Sequence, residues 1–199
     1  MNIAILGGSF DPPHKGHSII AKRLLKSNYF DQIWLMPCYQ HPFIKKLSGA
    51  DKRFQMTKYL TNNNMKVSDL EIKKKTISYS IHTLKFLAKK YPKDKFCWII
   101  GTDQIKSLAK WKKWKEIINN FKLIVVPRSG YKKAEKELKG ISKQVLSPKN
   151  IVLIDRKRFP PIYISSTLIR KKIKEKKPIS NLVPKKIEQY IMQHKLYNE

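Results

Sequence analysis

Short apolar runs recur along this chain, each followed by a polar stretch with helical spacing. "NIAIL", "DQIWLMP", "KFCWIIG", "FKLIVVP" and "IVLID" are the runs. They are rich in Ile, Val and aromatic residues and too short for helices, so they read as strands buried on both faces. "MKVSDLEI" is a further short strand candidate. Amphipathic segments lie between them. One helix is expected over about residues 17–26, and another in "GADKRFQMTKYLTN", with Phe54, Met56 and Leu60 on its apolar side. "SIHTLKFLAKKY" places Ile81, Leu84, Leu87 and Ala88 on one face. "TDQIKSL" opens on Thr102 and Asp103, which favour a helix start. The tail adds "SSTLIRKKIKE", capped by Ser165 or Ser166, and "PKKIEQYIMQHKL", with Pro184 in its first turn. Strands joined through helices form parallel sheets covered on both faces. The expected class is α/β: a doubly wound parallel sheet of five to six strands, closed by a C-terminal helical segment. Ligands in such folds sit beyond the carboxyl ends of the strands, where the strand order reverses.

Composition narrows the setting. Lys and Arg number 43 against 14 Asp and Glu, a formal charge of +29. Such a charge attracts polyanions. Yet arginine is limited to Arg23, Arg53, Arg128, Arg156, Arg158 and Arg170, and the lysines are scattered. Dedicated base and phosphate readers lean on arginine's planar fork. The lysines therefore read as a default surface residue, with any nucleic-acid binding weak and nonspecific. No stretch approaches the roughly 20 apolar residues of a membrane span, and the start of the chain is a poor leader peptide. A soluble, cytoplasmic protein is expected. Cys38 and Cys97 have no metal-ligand or CxxC spacing and read as reduced, buried thiols. The polar, Lys-rich segment 129–150 reads as a mobile insertion, concentrated in residues 131–149.

"GGSFDPPHKGH" follows the first strand directly. Gly7 and Gly8 would let backbone N–H groups approach a phosphate without Cβ obstruction. His14 and His17 are three residues apart, so a helix starting near His14 puts both imidazoles on one face. The positive end of that helix adds to a trap for a polyphosphate. The pattern is neither the GxGxxG fingerprint nor the P-loop. Taken singly, each feature has a plain structural reading: a histidine is usually a satisfied core or surface residue, and Ser165, Ser166 and Asp103 suit helix starts.

Together these segments resemble the HxGH nucleotidyltransferases, and more closely the bacterial nicotinate-nucleotide adenylyltransferases. "GGSFDPPHKGH" resembles the family's ATP motif, and "ISSTLIR" its C-terminal phosphate motif. "WIIGTDQIKSLAKWKKW" is similar to the family's central strand, Gly-x-Asp turn and Trp-containing loop. "SYSIHTL" and "LVPKKIEQYIMQHKLY" are similar to two further blocks. The resemblance implies a single Rossmann-like nucleotidyltransferase domain over residues 1–199, with 160–199 as a helical subregion. It implies transfer of AMP from ATP to nicotinate mononucleotide, giving deamido-NAD and pyrophosphate. By matching position, His14, His17 and Arg170 would be catalytic. Gly7, Gly8, Ser9, Phe10, Gly101, Asp103, Ile164, Ser165, Ser166 and Thr167 would join them in binding ATP. Lys45, Ser80, Trp111 and Lys112 would bind the mononucleotide. Mg²⁺ would arrive with ATP, without a dedicated cage of protein ligands.

Departures from the family pattern fall in the mononucleotide half. "YQHPFIKKLSG" stands where Pro-Pro-His-Lys is common, so Lys45 or Lys46 would supply the phosphate contact. Ser80 replaces the usual Thr, and His82 a frequent acidic residue. Nicotinamide mononucleotide and phosphopantetheine remain alternative acceptors, although "AKWKKW" argues against the second. "YISSTLIR" lacks the arginine and glycine of cytidylyltransferase motifs. A class I aminoacyl-tRNA synthetase would need a Lys-rich signature loop and far more chain. A basic nucleic-acid-binding protein on the same scaffold is the non-enzyme alternative. A homo-oligomer is compatible with the sequence, and a membrane partner is not expected.

Overall fold

Ile3 and Ile5 face one side of the first strand, Ala4 and Leu6 the other, and all four are buried. That two-sided burial explains why the apolar runs became the sheet. Each fully buried Ile or Leu contributes about 1.5–3 kcal/mol relative to exposure. The structure is a computed structural model and describes residues 1–43, 46–128 and 131–198, the side chains of 131 and 132 excepted.

The chain runs β1 (Asn2–Gly8), α1 (Lys15–Lys26), β2 (Gln32–Pro37), α2 (Ala50–Lys58), β3 (Met65–Val67), α3 (Leu70–Lys74) and α4 (Ser80–Lys90). It continues through β4 (Lys95–Gly101), α5 (Ile105–Leu108), α6 (Trp114–Asn120), β5 (Lys122–Val126), α7 (Tyr131–Ser142), β6 (Ile151–Leu153), α8 (Ser166–Lys174) and α9 (Lys185–Gln193). The six strands pair in parallel in the order β3-β2-β1-β4-β5-β6. The α/β doubly wound reading is thus met with six strands. The order reverses between β1 and β4, so their carboxyl ends bound the switch-point crevice. Helices α1, α2, α8 and α9 pack on the sheet face of Ala4 and Leu6. Helices α4, α5, α6 and α7 pack on the face of Ile3 and Ile5. Among the described residues, no helix is long and apolar enough to cross a membrane.

Four expectations are adjusted. The first helix starts at Lys15, two residues early, because His14 is its N-cap. "MKVSDLEI" gives a strand only to Val67, then turns into α3. Thr102 and Asp103 lie in a 3₁₀ turn ahead of α5 rather than at its N-cap. The segment expected to be a mobile insertion carries α7, whose Ala134, Leu138 and Ile141 are buried against the sheet. Their spacing is helical, but the surrounding lysines masked it; Ser129 and Gly130 lie outside the described residues. Both cysteines are free and buried as expected, and burial pushes the Cys97 thiol up to about 12.

Candidate active site

The two phosphate-like motifs meet beyond the end of β1. Arg170, on α8, donates from Nη1 to the carbonyl of Asp11. The Ser166 hydroxyl donates to the carbonyl of Pro12 at 2.8 Å. Thus the N-terminal loop and the start of α8 are bonded directly, although they lie far apart in sequence. Ser165 caps α8 by accepting from Leu168 N–H at 3.2 Å, the plain structural role that its position suggests. Thr167 Oγ1 accepts from Arg170 Nη2 at 3.4 Å. The first N–H groups of a helix have no partner within it, so this end of α8 presents donors beside the histidine loop.

The His14 and His17 rings stack with centroids 3.8 Å apart. Phe10 packs on His17 at 4.6 Å. Phe10 is itself buried, with a left-handed backbone at φ 51°. That conformation costs a bulky residue about 1–3 kcal/mol, which the buried ring must offset. The His14 N–H donates to His17 Nδ1 at 3.1 Å. His17 Nδ1 is therefore an acceptor, and a neutral ring carries its proton on Nε2. Burial, then His17 and Arg128, hold His14 far below the ordinary imidazole range. Burial, then Arg128, lower His17 to about 3, against a smaller upward pull from the His14 backbone bond. His14 Nδ1 is buried with no hydrogen-bond partner. The pair is thus neutral and poised to gain from a nearby anion.

Gly101 ends β4, and Asp103 follows in the 3₁₀ turn. A Cβ at Gly101 would lie 2.2 Å from Asp103 Oδ1 and 2.6 Å from Arg128 Cδ. Only glycine leaves room for that pair. Arg128 Nη1 is 3.7 Å from Asp103 Oδ2, and Nη2 donates to the Ile164 carbonyl at 3.3 Å. Asp103 Oδ1 is a second buried polar atom with no hydrogen-bond partner. Arg128 was not singled out from the sequence. Its position just past β5, at the carboxyl edge of the sheet, was the available signal.

Beside this corner opens a cavity of about 350 Å³. Ser80, Trp111 and Lys112 line it, as do Gly7 and Gly8. The two glycines are the last residues of extended β1. A Cβ on Gly7 would fall 2.1 Å from the Trp98 indole, so this position makes room for an aromatic wall. Lys112 Nζ sits 4.5 Å over the Tyr79 ring. Lys45, expected to hold the mononucleotide phosphate, lies outside the described residues, and Lys46 is exposed. His82 is exposed too; burial and then Lys112 lower its pKa.

Two supports escaped sequence reasoning. Arg53 is buried and donates to three carbonyls: Ser48 at 2.8 Å, Ser9 at 2.7 Å and Tyr39 at 2.7 Å. One guanidinium fork thereby joins the histidine loop to the loops after β2. Nothing local in "ADKRFQMTK" marks this arginine as buried. Asp11 is buried and accepts from the Tyr197 hydroxyl at 2.7 Å and from the Ser48 hydroxyl. Burial and Asp11 raise the Tyr197 pKa. Asp11 lay within the quoted motif, but nothing in the sequence named Tyr197 as its partner.

The cytidylyltransferase-like family model matches residues 5–172. The nicotinate-nucleotide adenylyltransferase of Bacillus subtilis (strain 168) is 34% identical, over 98% of this chain and 97% of the relative. In fold, the chain is similar to the Plasmodium falciparum nicotinic acid mononucleotide adenylyltransferase complexed with NaAD. That match has a TM-score of 0.82 at 24% identity and covers 99% of this chain and 97% of the other.

Proposed function

Because the chain belongs to the cytidylyltransferase-like family, on its nicotinate-nucleotide adenylyltransferase branch, we infer that it transfers AMP from ATP to nicotinate mononucleotide. The products are deamido-NAD and pyrophosphate, and the reaction belongs to NAD biosynthesis. A phosphate oxygen of the mononucleotide attacks the α-phosphorus in line. The bond from that phosphorus to the bridging oxygen breaks, and pyrophosphate leaves with the electron pair. No protein nucleophile is needed, so positioning and charge stabilisation carry the rate.

The observation that carries this reading is the direct bonding of Arg170 and Ser166 to the carbonyls of Asp11 and Pro12. It sets two anion-seeking elements around one place. His17 would donate from Nε2 to an oxygen of the reacting phosphates, with His14 beside it. The α8 N-terminus and Arg170 would hold the β- and γ-phosphates. Asp103 would accept from a ribose hydroxyl of the adenosine half. Ser80, Trp111 and Lys112 would enclose the pyridine mononucleotide in the cavity. Imidazole, hydroxyl and guanidinium groups suit phosphate oxygens rather than a cation. Mg²⁺ would therefore enter on the nucleotide, where it would draw charge off the phosphates.

Pyrophosphate release from ATP, measured with nicotinate mononucleotide, nicotinamide mononucleotide and phosphopantetheine in turn, tests the reading. Turnover with nicotinate mononucleotide is expected. A strong preference for phosphopantetheine overturns it.

A further inference from the structure

The pyridine cavity contains a buried carboxyl for which adenylyl transfer has no use. Glu71, on α3, is 5% exposed and lines the cavity with Ser78, Ser80, Trp111 and Lys112. The Thr83 hydroxyl donates to its Oε1 at 2.5 Å. The Ser78 hydroxyl also bonds to it. Ser78 Oγ accepts from the Tyr39 N–H at 3.0 Å, which leaves its own proton for Glu71. Both hydroxyls therefore act as donors to this carboxyl. What Glu71 can offer the cavity then depends on its own proton. A neutral acid has an O–H to give; a carboxylate has only lone pairs and a charge.

We propose that Glu71 is a specificity-determining residue that reads the substituent on the pyridine ring. When neutral it donates to the carboxylate of nicotinate mononucleotide. When ionised it repels that carboxylate and accepts from the carboxamide N–H of nicotinamide mononucleotide. This deepens the proposed function and rests on it. Burial raises the Glu71 pKa, opposed in turn by the Thr83 and Ser78 hydroxyls and by Lys74. Among the described residues, other ionisable groups also face this wall, the Tyr79 phenol with them. Cys38, after β2, has a thiol raised by burial, and Arg53 stands behind it at 3.9 Å. His41 lines the cavity and is lowered by burial and then by Arg53. Lys110 and Lys112 line the cavity as well. Exposed His82 is on α4.

The test is the ratio of kcat/KM for nicotinate mononucleotide to that for nicotinamide mononucleotide, read by pyrophosphate release upward from the ordinary carboxyl range, about pH 4.5, across the pH range in which the protein stays folded. In the unaltered protein the ratio is expected to fall with rising pH, by on the order of tenfold, as like charges come to face each other. Glu71→Gln keeps a neutral donor and should hold the ratio high and flat. Thr83→Val removes a donor to the charged form and should move the fall to higher pH. A flat ratio in the unaltered protein, or an equal fall in Glu71→Gln, overturns the inference alone and would assign the pH response to His41 or another group. No pyrophosphate with either mononucleotide overturns the function and this inference together.

Discussion

The proposed phosphate corner and the proposed pyridine cavity are neighbours built on different principles. In the corner, the protein's groups are largely bonded to one another. Arg170 and Ser166 hold the Asp11 and Pro12 carbonyls, Arg53 holds Ser9, and the two imidazoles stack. In the cavity, aromatic walls from Trp98, Trp111 and Tyr79 enclose space, and polar groups including Glu71, Ser80, Gln104 and Lys112 are interspersed among them. A triphosphate presents the same oxygens in every nucleotide, so a rigid corner loses nothing. A pyridine substituent must be told from its near twin, and that discrimination falls to a small number of polar atoms. Substitutions in the corner should therefore damage turnover, and substitutions in the cavity should damage acceptor binding.

The largest expected effect tests the first half of that contrast. His17→Ala should lower kcat by roughly 10²–10³, the usual loss for one preorganised donor at a developing charge. Circular dichroism should be unchanged. Near-normal turnover would remove His17 from the chemistry and break the contrast at its stronger end. The second half predicts a smaller and different loss. Trp111→Ala should raise the mononucleotide KM by roughly tenfold, in line with about 1–3 kcal/mol for a ring stacked on an aromatic side chain, while the KM for ATP stays put. Equal changes in both constants would mean that Trp111 packs the fold rather than the acceptor.

The two regions were also unequally legible in the sequence. The corner's histidines and hydroxyls occupy two compact stretches whose order and types point to phosphate. Strand and helix periods gave the sheet, because burial on both faces produces unbroken apolar runs such as "KFCWIIG". What connects the parts could not be read. Arg53 and Asp11 act through partners distant in sequence, and no local pattern announces a guanidinium that binds three carbonyls. Nothing local in "DLEIKKK" separates Glu71 from a surface charge, and only the fold places it on a cavity wall. Helix α7 was hidden by the lysines that its solvent face requires.

The smallest effect concerns the corner's resting charge. Unfolded histidines take up protons below about pH 6.5, whereas His14 and His17 in the folded protein resist protonation, His17 down to about 3. Between these values the unfolded chain binds more protons, so folding stability is full above about pH 6.5 and falls as pH drops. Buried His14 alone sets a limit of about 1.4 kcal/mol per pH unit in that window. Urea unfolding at about pH 7 and about pH 5 should show the loss, and His14→Gln should shrink it. ATP should shrink it as well, because an anion beside the imidazoles favours their protonated forms and brings folded and unfolded proton uptake closer together. A pH slope unmoved by His14→Gln would mean that His14 is not its source, and a slope that the substitution shrinks but ATP leaves alone would mean that the corner is not tuned to receive a polyphosphate.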